Sequence, residues 1–433
     1  MKRLEWLFHM VAFSLQCGAI VPLLLRTSVD ANQLGSANPL NTLATGFVLA
    51  IVLPLMLRHG RVATSYAPGM WPVLCVTVLA LMSTAWSDYP GGTIRRAGSL
   101  LTATLWAWYV VSRYDLKDII SIIRQSIGLL ALASLAIAIV APGMGRDDPL
   151  GPDGWRGVFA GKNGLGVIMA IGAVTYIYCL LTRPPKFMSI LFYLAGFVLC
   201  LGMLYLSHSV TSLLVAVVGV PLCLIIRLSH RRVGVAVIVW TSLLLLIVPA
   251  QIIAIEALPV IAPLLGRDAT LTGRVDLWLI LPSYIAQRPW LGYGFAGFWI
   301  QDSLNVIQIW TSVGWEPPQA HNGWLDAMLE LGIVGLTLVV IQVVLILVNG
   351  MRAVVEGREA DAQYLVLMAF VALTYNLAES SLIRPEVIWV MLVIASASLA
   401  KLAKQRQGAR VPRYPLSGAA PSRPRPIRAG GTL

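Results

Sequence analysis

The sequence predicts an all-α protein that crosses a membrane many times. Of its 433 residues, 58% are hydrophobic and only 12% are charged. Apolar runs of about 20 residues recur along the chain, and each is long enough to cross a hydrocarbon core of about 30 Å. The runs are continuous rather than alternating, which argues against a membrane β-barrel.

These runs divide into about twelve predicted spans, so residues 1–402 are expected to form one transmembrane domain. The predicted spans cover residues 5–25, 39–57, 70–87, 97–112, 119–141, 164–182, 187–206, 210–227, 233–255, 327–349, 362–380 and 386–402.

Basic residues predict the orientation of the spans. If the N-terminus is cytoplasmic, the short inner connections and the tail hold most of the 32 lysines and arginines, as the positive-inside rule requires. Both termini are then cytoplasmic. Residues 403–433, rich in Pro, Arg and Gly, are expected to form a disordered basic tail that contacts anionic lipid. The tail and inner loops account for most of the net charge of +12, so no nucleic-acid partner is inferred.

Polar residues concentrate on the opposite, outer face, where residues 256–326 form a long predicted loop with short helices. Four outer stretches stand out: SDYPGGTIRRAG, GWRGVFAGKNGLG, GRDATLTGRVDLW and PPQAHNGWLD. Most of their basic residues run against the positive-inside trend, and these residues are Arg95, Arg96, Arg156, Lys162, Arg267 and Arg274. Because polar residues are concentrated on one face, the protein is expected to act there.

The geometry of the predicted spans favours an anion site on this face. Spans that start near residues 97, 164 and 327 run inwards, so their N-terminal N–H groups and positive dipole ends face out. Thr272 can cap a helix that carries Arg274 in its first turn. Helix N-termini and arginine together bind anions. At a membrane surface the simplest such anion is a lipid phosphate or diphosphate.

Each feature also has a simpler interpretation. Arg95 and Arg96 can hold lipid headgroups, and Lys162 with Asn163 can be a helix cap. Arg274 can pair with a nearby aspartate as a staple within its loop.

The remaining polar features are weak when taken alone. By itself, His321 is better interpreted as an interfacial histidine. The acidic stretch GRDDPLGPD is better interpreted as a solvated loop than as a metal site, because no second set of ligands accompanies it.

Four motifs occur in a fixed order within residues 80–390: RGVFAGKNGLG, GRDATLTGRVDLW, RPWLGYGFAGFW and HNGWLDAMLELGIVGL. In this order they resemble the O-antigen ligase and polysaccharide polymerase superfamily. In that family a His-Asn pair precedes a Gly-rich helix start, which here is His321-Asn322 before Gly332 and Gly335. SDYPGGTIRRAG and GRDATLTGR most resemble the exopolysaccharide-polymerase branch, although the ligase branch has similar motifs.

The resemblance implies a GT-C-type glycosyltransferase of the bacterial inner membrane that uses neither a metal ion nor another cofactor. Its implied donor is a glycan on undecaprenyl diphosphate at the periplasmic leaflet, and its acceptor is a sugar hydroxyl. Polymerisation of surface polysaccharide or O-antigen repeat units is favoured, and transfer to lipid A core is the alternative. The expected partners are membrane lipids and, beside a polymerase, a flippase and a chain-length regulator.

The family's arginine and histidine positions carry over to Arg274 and His321, and Arg156 is a weaker match. The arginines are expected to stabilise the departing diphosphate. His321 is expected to accept the acceptor proton as a general base, with Glu330 or Glu379 as fallback bases. The predicted substrate-binding residues are Arg288, Lys162, Asn163, Asn322, Arg95, Arg96 and Arg267.

A transporter such as a lipid-linked glycan flippase is the alternative from another functional class. About twelve spans suit a transporter, but its two halves should show a repeat, and none is visible. Coupled transporters also carry several ionisable groups within their spans. Here the predicted spans hold few apart from Arg124 and Glu330, so the glycosyltransferase interpretation is preferred.

Overall fold

The computed structural model describes residues 2–22, 39–147, 154–183, 186–229, 272–356 and 361–410. Within these ranges the regular secondary structure is helical, apart from one antiparallel bridge between Arg146 and Trp155. Single helical turns lie at Ala67–Met70, Ser83–Ala85 and Pro142–Gly145. The longer helices are α1 (Lys2–Gln16), α2 (Pro39–Arg58), α3 (Gly60–Tyr66), α4 (Trp71–Met82), α5 (Pro90–Arg113), α6 (Leu116–Val140), α7 (Lys162–Thr182), α8 (Phe187–Leu206), α9 (Val210–Ser229), α10 (Thr272–Gln287), α11 (Leu304–Val313), α12 (Gly323–Val355), α13 (Ala362–Tyr375) and α14 (Val387–Arg410).

Seven helices of the described ranges are long and apolar enough to cross a bilayer, judged by length and composition. The chain is therefore a polytopic helical membrane protein, as the sequence predicts. The count of about twelve spans and the GT-C architecture remain predictions. The seven helices are Leu40–Arg58, Gly60–Ala85, Leu116–Val140, Lys162–Thr182, Phe187–Leu206, Gly323–Val355 and Val387–Gln407. Here Gly60–Ala85 counts α3, α4 and the single helical turns that follow each of them as one helix.

Several other predicted spans do not correspond to any of these seven helices. Two correspond to the shorter apolar helices Val210–Leu224 and Ala362–Tyr375. The predicted span 97–112 lies within α5 but is not among the seven helices. The predicted span 233–255 lies outside the described residues, as does residue 267.

The predicted span 362–380 is too long, because α13 ends at Tyr375. Asn376 turns the chain at this point: its Nδ2 donates to the Ala372 carbonyl, while its Oδ1 accepts from the Ser381 N–H. Glu379 therefore lies in the connection between α13 and α14 rather than inside a span.

Burial separates the central helices from the peripheral ones. In α7 and α14, 78% of the most apolar window is buried, whereas the corresponding share is 17% in α2 and in α8. All four helices are apolar around most of their circumference. The central pair therefore packs against protein on every side, and the peripheral pair leaves its apolar side chains for lipid.

The N-termini of α7, α12 and α14 lie at one end of the bundle, which we call the N-terminal end. The Gly323 N–H at the start of α12 donates to the Asn376 carbonyl at 2.9 Å. Helix α7 reaches the same connection through the side chain of Asn163. The opposite end carries the ion pair of Arg183 and Asp361, at 3.1 Å.

Gly332 breaks α12 near its start, with φ +63° and ψ −164°. Residues 289–294 fill the break and bond to the backbone groups that it releases, as a membrane-spanning segment requires. The Thr93 hydroxyl of α5 donates to the Phe295 carbonyl just beyond this loop, so α5 also starts at the N-terminal end. The bonds across the break are Tyr293 N–H to Leu329 O (2.8 Å), Gly294 N–H to Glu330 O (3.0 Å) and Ile333 N–H to Pro289 O (2.8 Å).

Candidate functional site

The carboxylate of Glu379 is the centre of a polar cluster at the N-terminal end of the bundle. The Glu379 side chain is only 5% exposed. Asn163 Nδ2 donates to its Oε1 at 3.1 Å, and Gln319 Nε2 donates to its Oε2 at 3.2 Å. Arg274 Nη2 donates to Oε1 at 3.4 Å, and His321 Nδ1 lies 3.5 Å from Oε2. We call these five residues the Glu379 cluster.

Arg274 compensates the charge of the buried Glu379 carboxylate. An isolated buried carboxylate is costly, whereas a hydrogen-bonded ion pair is tolerated. Arg274 Nη1 also donates to the Ala378 carbonyl at 2.6 Å. A guanidinium carries five N–H groups, more than these two bonds use. Among the described residues, the ion-pair partner of Arg274 is Glu379 rather than Asp276, and the other aspartate of the simpler interpretation, Asp268, lies outside the described residues.

The side chain of Asn163 contacts Glu379 and does not cap helix α7. The residue at the N-cap of α7 is Gly161, and no side chain caps the helix there. Asn163 lies in the first turn, where its Nδ2 contacts Glu379 and its Oδ1 accepts from the Ser209 hydroxyl at 3.0 Å. These two bonds fix the orientation of the amide. The backbone N–H of the neighbouring Lys162 donates to Asp147 at 3.3 Å.

His321 and Asn322 have different roles although they are adjacent. Asn322 is the N-cap of α12, and its Oδ1 accepts from the N–H groups of Trp324 and Leu325 at 3.0 and 3.3 Å. His321 makes no cap. Its ring lies beside the Trp315 ring, with centroids 5.8 Å apart, and turns Nδ1 towards Glu379. The opposite edge of the ring carries Nε2.

A second buried cluster lies beside the first. Arg384 Nη1 lies 2.7 Å from Glu330 Oε1, and Arg384 Nη2 lies 3.8 Å from Asp326 Oδ2. Trp299 Nε1 also donates to Asp326 at 2.6 Å. Glu330 is fully buried and paired with Arg384. None of its described contacts reaches His321, whereas Glu379 lies beside the imidazole.

Arg156, which the sequence suggests as a second catalytic arginine, is held by other partners. Its guanidinium donates to the carbonyls of Met144 and Gly143 at 3.0 and 3.3 Å and lies 3.9 Å from Asp147. None of its described contacts joins it to the Glu379 cluster. Arg156 is linked through Asp147 to the start of α7.

The other predicted arginines are spread over the same end of the bundle. Arg96 donates to the Ala296 carbonyl at 3.4 Å, and burial lowers its pKa to about 10, so it stays cationic at neutral pH. Arg95 is exposed and donates to the Tyr89 hydroxyl at 3.3 Å. Arg288 forms an exposed ion pair with Asp88 at 3.0 Å. Arg267 lies outside the described residues.

Sequence reasoning missed several members of the two clusters. Gln319, Asp326 and Arg384 were not predicted site residues, and Glu379 was only a fallback base. The signal for Glu379 and Arg384 is the polar stretch YNLAESSLIRPE between the last two apolar runs, which the predicted span 362–380 partly includes. Gln319 and Asp326 lie in the stretch PPQAHNGWLD, where only His321 and Asn322 were selected.

Comparison with known proteins finds a family model and one relative similar to this chain. A family model described as O-antigen ligase matches residues 195–340, which include Arg274, His321 and Asn322. The chain is also 24% identical over 371 residues to the exopolysaccharide production protein ExoQ of Rhizobium meliloti (strain 1021). That alignment covers 82% of this chain and 83% of the relative. The chain is thus similar to O-antigen ligase-related membrane proteins.

Proposed function

We propose that this chain transfers a glycan from undecaprenyl diphosphate to a sugar hydroxyl at the Glu379 cluster, and that this end of the bundle faces the periplasm. Similarity to O-antigen ligase-related proteins supports a glycosyltransferase-type reaction. The observation that carries the finer proposal is the convergence of Arg274 and His321 on one buried carboxylate. The cluster unites a cation for the leaving group with a base for the acceptor.

The proposed reaction exchanges one bond at the anomeric carbon. The acceptor oxygen forms a bond to this carbon as the bond from the carbon to the diphosphate oxygen breaks. The electron pair of the broken bond leaves with the lipid diphosphate, and the acceptor hydroxyl gives up its proton. The site must therefore stabilise negative charge on one side of the sugar and accept a proton on the other.

Arg274 is suited to the diphosphate. It lies in the first turn of α10, where backbone N–H groups add a partial positive charge. Its planar guanidinium can bind two phosphate oxygens at once, and such charge-assisted bonds are stronger than neutral ones. The transfer proposed here needs no metal ion and should continue in EDTA.

His321 is suited to the acceptor proton. In the proposal, Nε2 accepts the proton, while Glu379 beside Nδ1 orients the ring and stabilises the imidazolium that forms. Asn163 and Gln319 hold the Glu379 carboxylate from two further directions. Glu379 thus acts through His321 and Arg274.

Two acceptors fit this chemistry. The relative's name, an exopolysaccharide production protein, favours a growing polysaccharide as the acceptor. The O-antigen ligase description of the family favours lipid A core as the second candidate. We place polymerisation first because the relative aligns over most of both chains.

The purified protein in nanodiscs, supplied with a lipid-linked glycan donor, tests the proposal. Transfer should appear with a glycan or lipid A core acceptor, and the length of the products separates polymerisation from ligation. His59→Ala, a histidine substitution at the start of α3, serves as the control and should retain transfer. Movement of the donor across vesicle membranes without transfer to either acceptor would instead identify a flippase.

A further inference from the structure

His321 has an unusual backbone conformation. Its φ is +49°, in the left-handed region that non-glycine residues seldom occupy. Such a conformation persists only when the surrounding structure over-determines it, and it is found most often at functional sites. The contacts that hold it therefore bear on what the imidazole can do.

Side chains hold the backbone of the two residues that flank His321. The Ala320 N–H lies 3.3 Å from each carboxylate oxygen of Asp326, and the Ala320 carbonyl accepts from Trp278 Nε1 at 2.7 Å. On the other side, the Asn322 N–H donates to the Ser380 hydroxyl at 3.1 Å. We call Asp326, Trp278 and Ser380 the His321 clamp.

Each member of the clamp is anchored to another part of the site. Asp326 is 1% exposed and is held by the Trp299 indole at 2.6 Å. Trp278 follows Arg274 by four residues on α10, so the two side chains lie on the same face of that helix. Ser380 directly follows the residue whose carboxylate faces His321. The clamp therefore links the imidazole to the arginine and to Glu379.

We propose that Asp326, Trp278 and Ser380 are positioning residues for glycan transfer, which hold His321 in the left-handed conformation that turns Nδ1 towards Glu379. This inference rests on the proposed role of His321 as the base. Helix α10 carries both Arg274 and Trp278. It therefore presents Arg274 to the diphosphate and, through Trp278, fixes the backbone that carries the base. Loss of a clamp bond lets the residue relax to an ordinary conformation and moves the imidazole away from Glu379.

The competing explanation is that the three residues only stabilise the fold. The two explanations differ in their effect on turnover when the base is absent. A positioning residue acts through His321, so its removal costs nothing further once His321 is replaced. A residue that supports the fold lowers activity to a similar extent with or without the histidine.

The experiment uses the full chain in nanodiscs and the substitutions Trp278→Phe, Ser380→Ala and Asp326→Asn, each with His321 present and with His321→Ala. We expect kcat to fall by roughly 10- to 10²-fold with His321 present, the scale of a small misplacement of a catalytic group, while KM for the donor stays nearly constant. In the His321→Ala background, the same substitutions should change kcat by less than about twofold. Thermal unfolding midpoints should stay near that of the wild type.

Trp310→Phe is the matched control. It removes an indole bond to a backbone carbonyl of the same loop, that of Pro317 at 3.0 Å, but leaves the peptide groups beside His321 intact. It should leave kcat unchanged. The rate at which diethyl pyrocarbonate modifies His321 is a second readout that does not depend on catalytic activity. This rate should be higher in the clamp variants than in the wild type, with the modification of His59 as the internal reference.

The outcomes separate the inference from the proposed function. If His321→Ala abolishes transfer but Trp278→Phe and Ser380→Ala both retain wild-type kcat and wild-type modification, the clamp is overturned and the proposed function stands. If the clamp substitutions lower kcat equally in both backgrounds, the residues are structural and the inference is overturned. If His321→Ala retains full transfer, the proposed base and the inference fail together.

Discussion

His321 Nδ1 faces Glu379 Oε2 at 3.5 Å, although the two residues belong to different parts of the chain. His321 precedes α12, and Glu379 follows α13. In the proposed reaction, a carboxylate in this position orients the imidazole. The same carboxylate binds Arg274, so it joins the two groups on which the proposed chemistry depends.

Glu379→Gln should lower kcat by roughly 10²–10⁴-fold, because the imidazolium loses the charge that stabilises it. Donor affinity should be kept or improved, since Arg274 no longer pairs with a carboxylate. The measurement is single-turnover transfer beside donor binding. Asp361→Asn is the control: it neutralises a buried carboxylate paired with Arg183 at the opposite end of the bundle and should keep transfer close to wild type. A fully active Glu379→Gln would contradict the assignment of Glu379.

Arg274→Ala should weaken donor binding and also slow turnover, because the guanidinium contacts the diphosphate before and during its departure. Arg274→Lys should recover only part of the loss, since an ammonium cannot bind two oxygens in a planar fork. Donor titration and initial rates measure the two effects. Arg406→Ala breaks an ion pair with Glu356 near the end of α12 and serves as the control. Unchanged donor affinity in Arg274→Ala would exclude the diphosphate role.

Gly332→Ala should lower the free energy of unfolding by roughly 1–3 kcal/mol, since a side chain at φ +63° is strained. A Cβ there would also lie 2.3 Å from the carbonyl carbon of Trp290. Gly98→Ala in α5 is the matched control: nothing lies within 4 Å of its Cβ, so it should be neutral or slightly stabilising. Unfolding in denaturant, followed by tryptophan fluorescence, compares the two. Equal stabilities would show that the break in α12 does not depend on Gly332.

The predicted orientation places Gly60 and Gly292 on opposite sides of the membrane. Truncation fusions at these positions, with one reporter active in the cytoplasm and another active in the periplasm, measure the sides directly. Gly60 should report cytoplasm and Gly292 periplasm. A cytoplasmic signal from both would place the Glu379 cluster on the wrong face for a periplasmic donor.

Much of the helical architecture could be predicted, because runs of apolar residues determine where the membrane helices form. Asn163, Arg274 and His321 could also be found, since polar residues beside helix starts on one face are few. The contact that these three residues share with Glu379 could not be predicted. Glu379 is separated from Asn163 by 216 residues and from Arg274 by 105, and no local pattern records which distant segments meet.

The break in α12 and the His321 clamp could not be predicted from the sequence for related reasons. The apolar run around Gly332 looks continuous, so only the docking of residues 289–294 shows that the helix is interrupted. Arg156, a weaker match to the family's arginine, stays a predicted catalytic residue. Its guanidinium donates to the carbonyls of Gly143 and Met144.

Donor affinity and product formation, measured together in His321→Ala, test the proposed base most directly. We expect donor binding to stay nearly intact while turnover falls by roughly 10²–10⁴-fold, the contribution of a general base. Loss of donor binding would make His321 a diphosphate ligand and contradict its assignment as the base. No change in either quantity would show that the histidine facing Glu379 takes no part in the reaction.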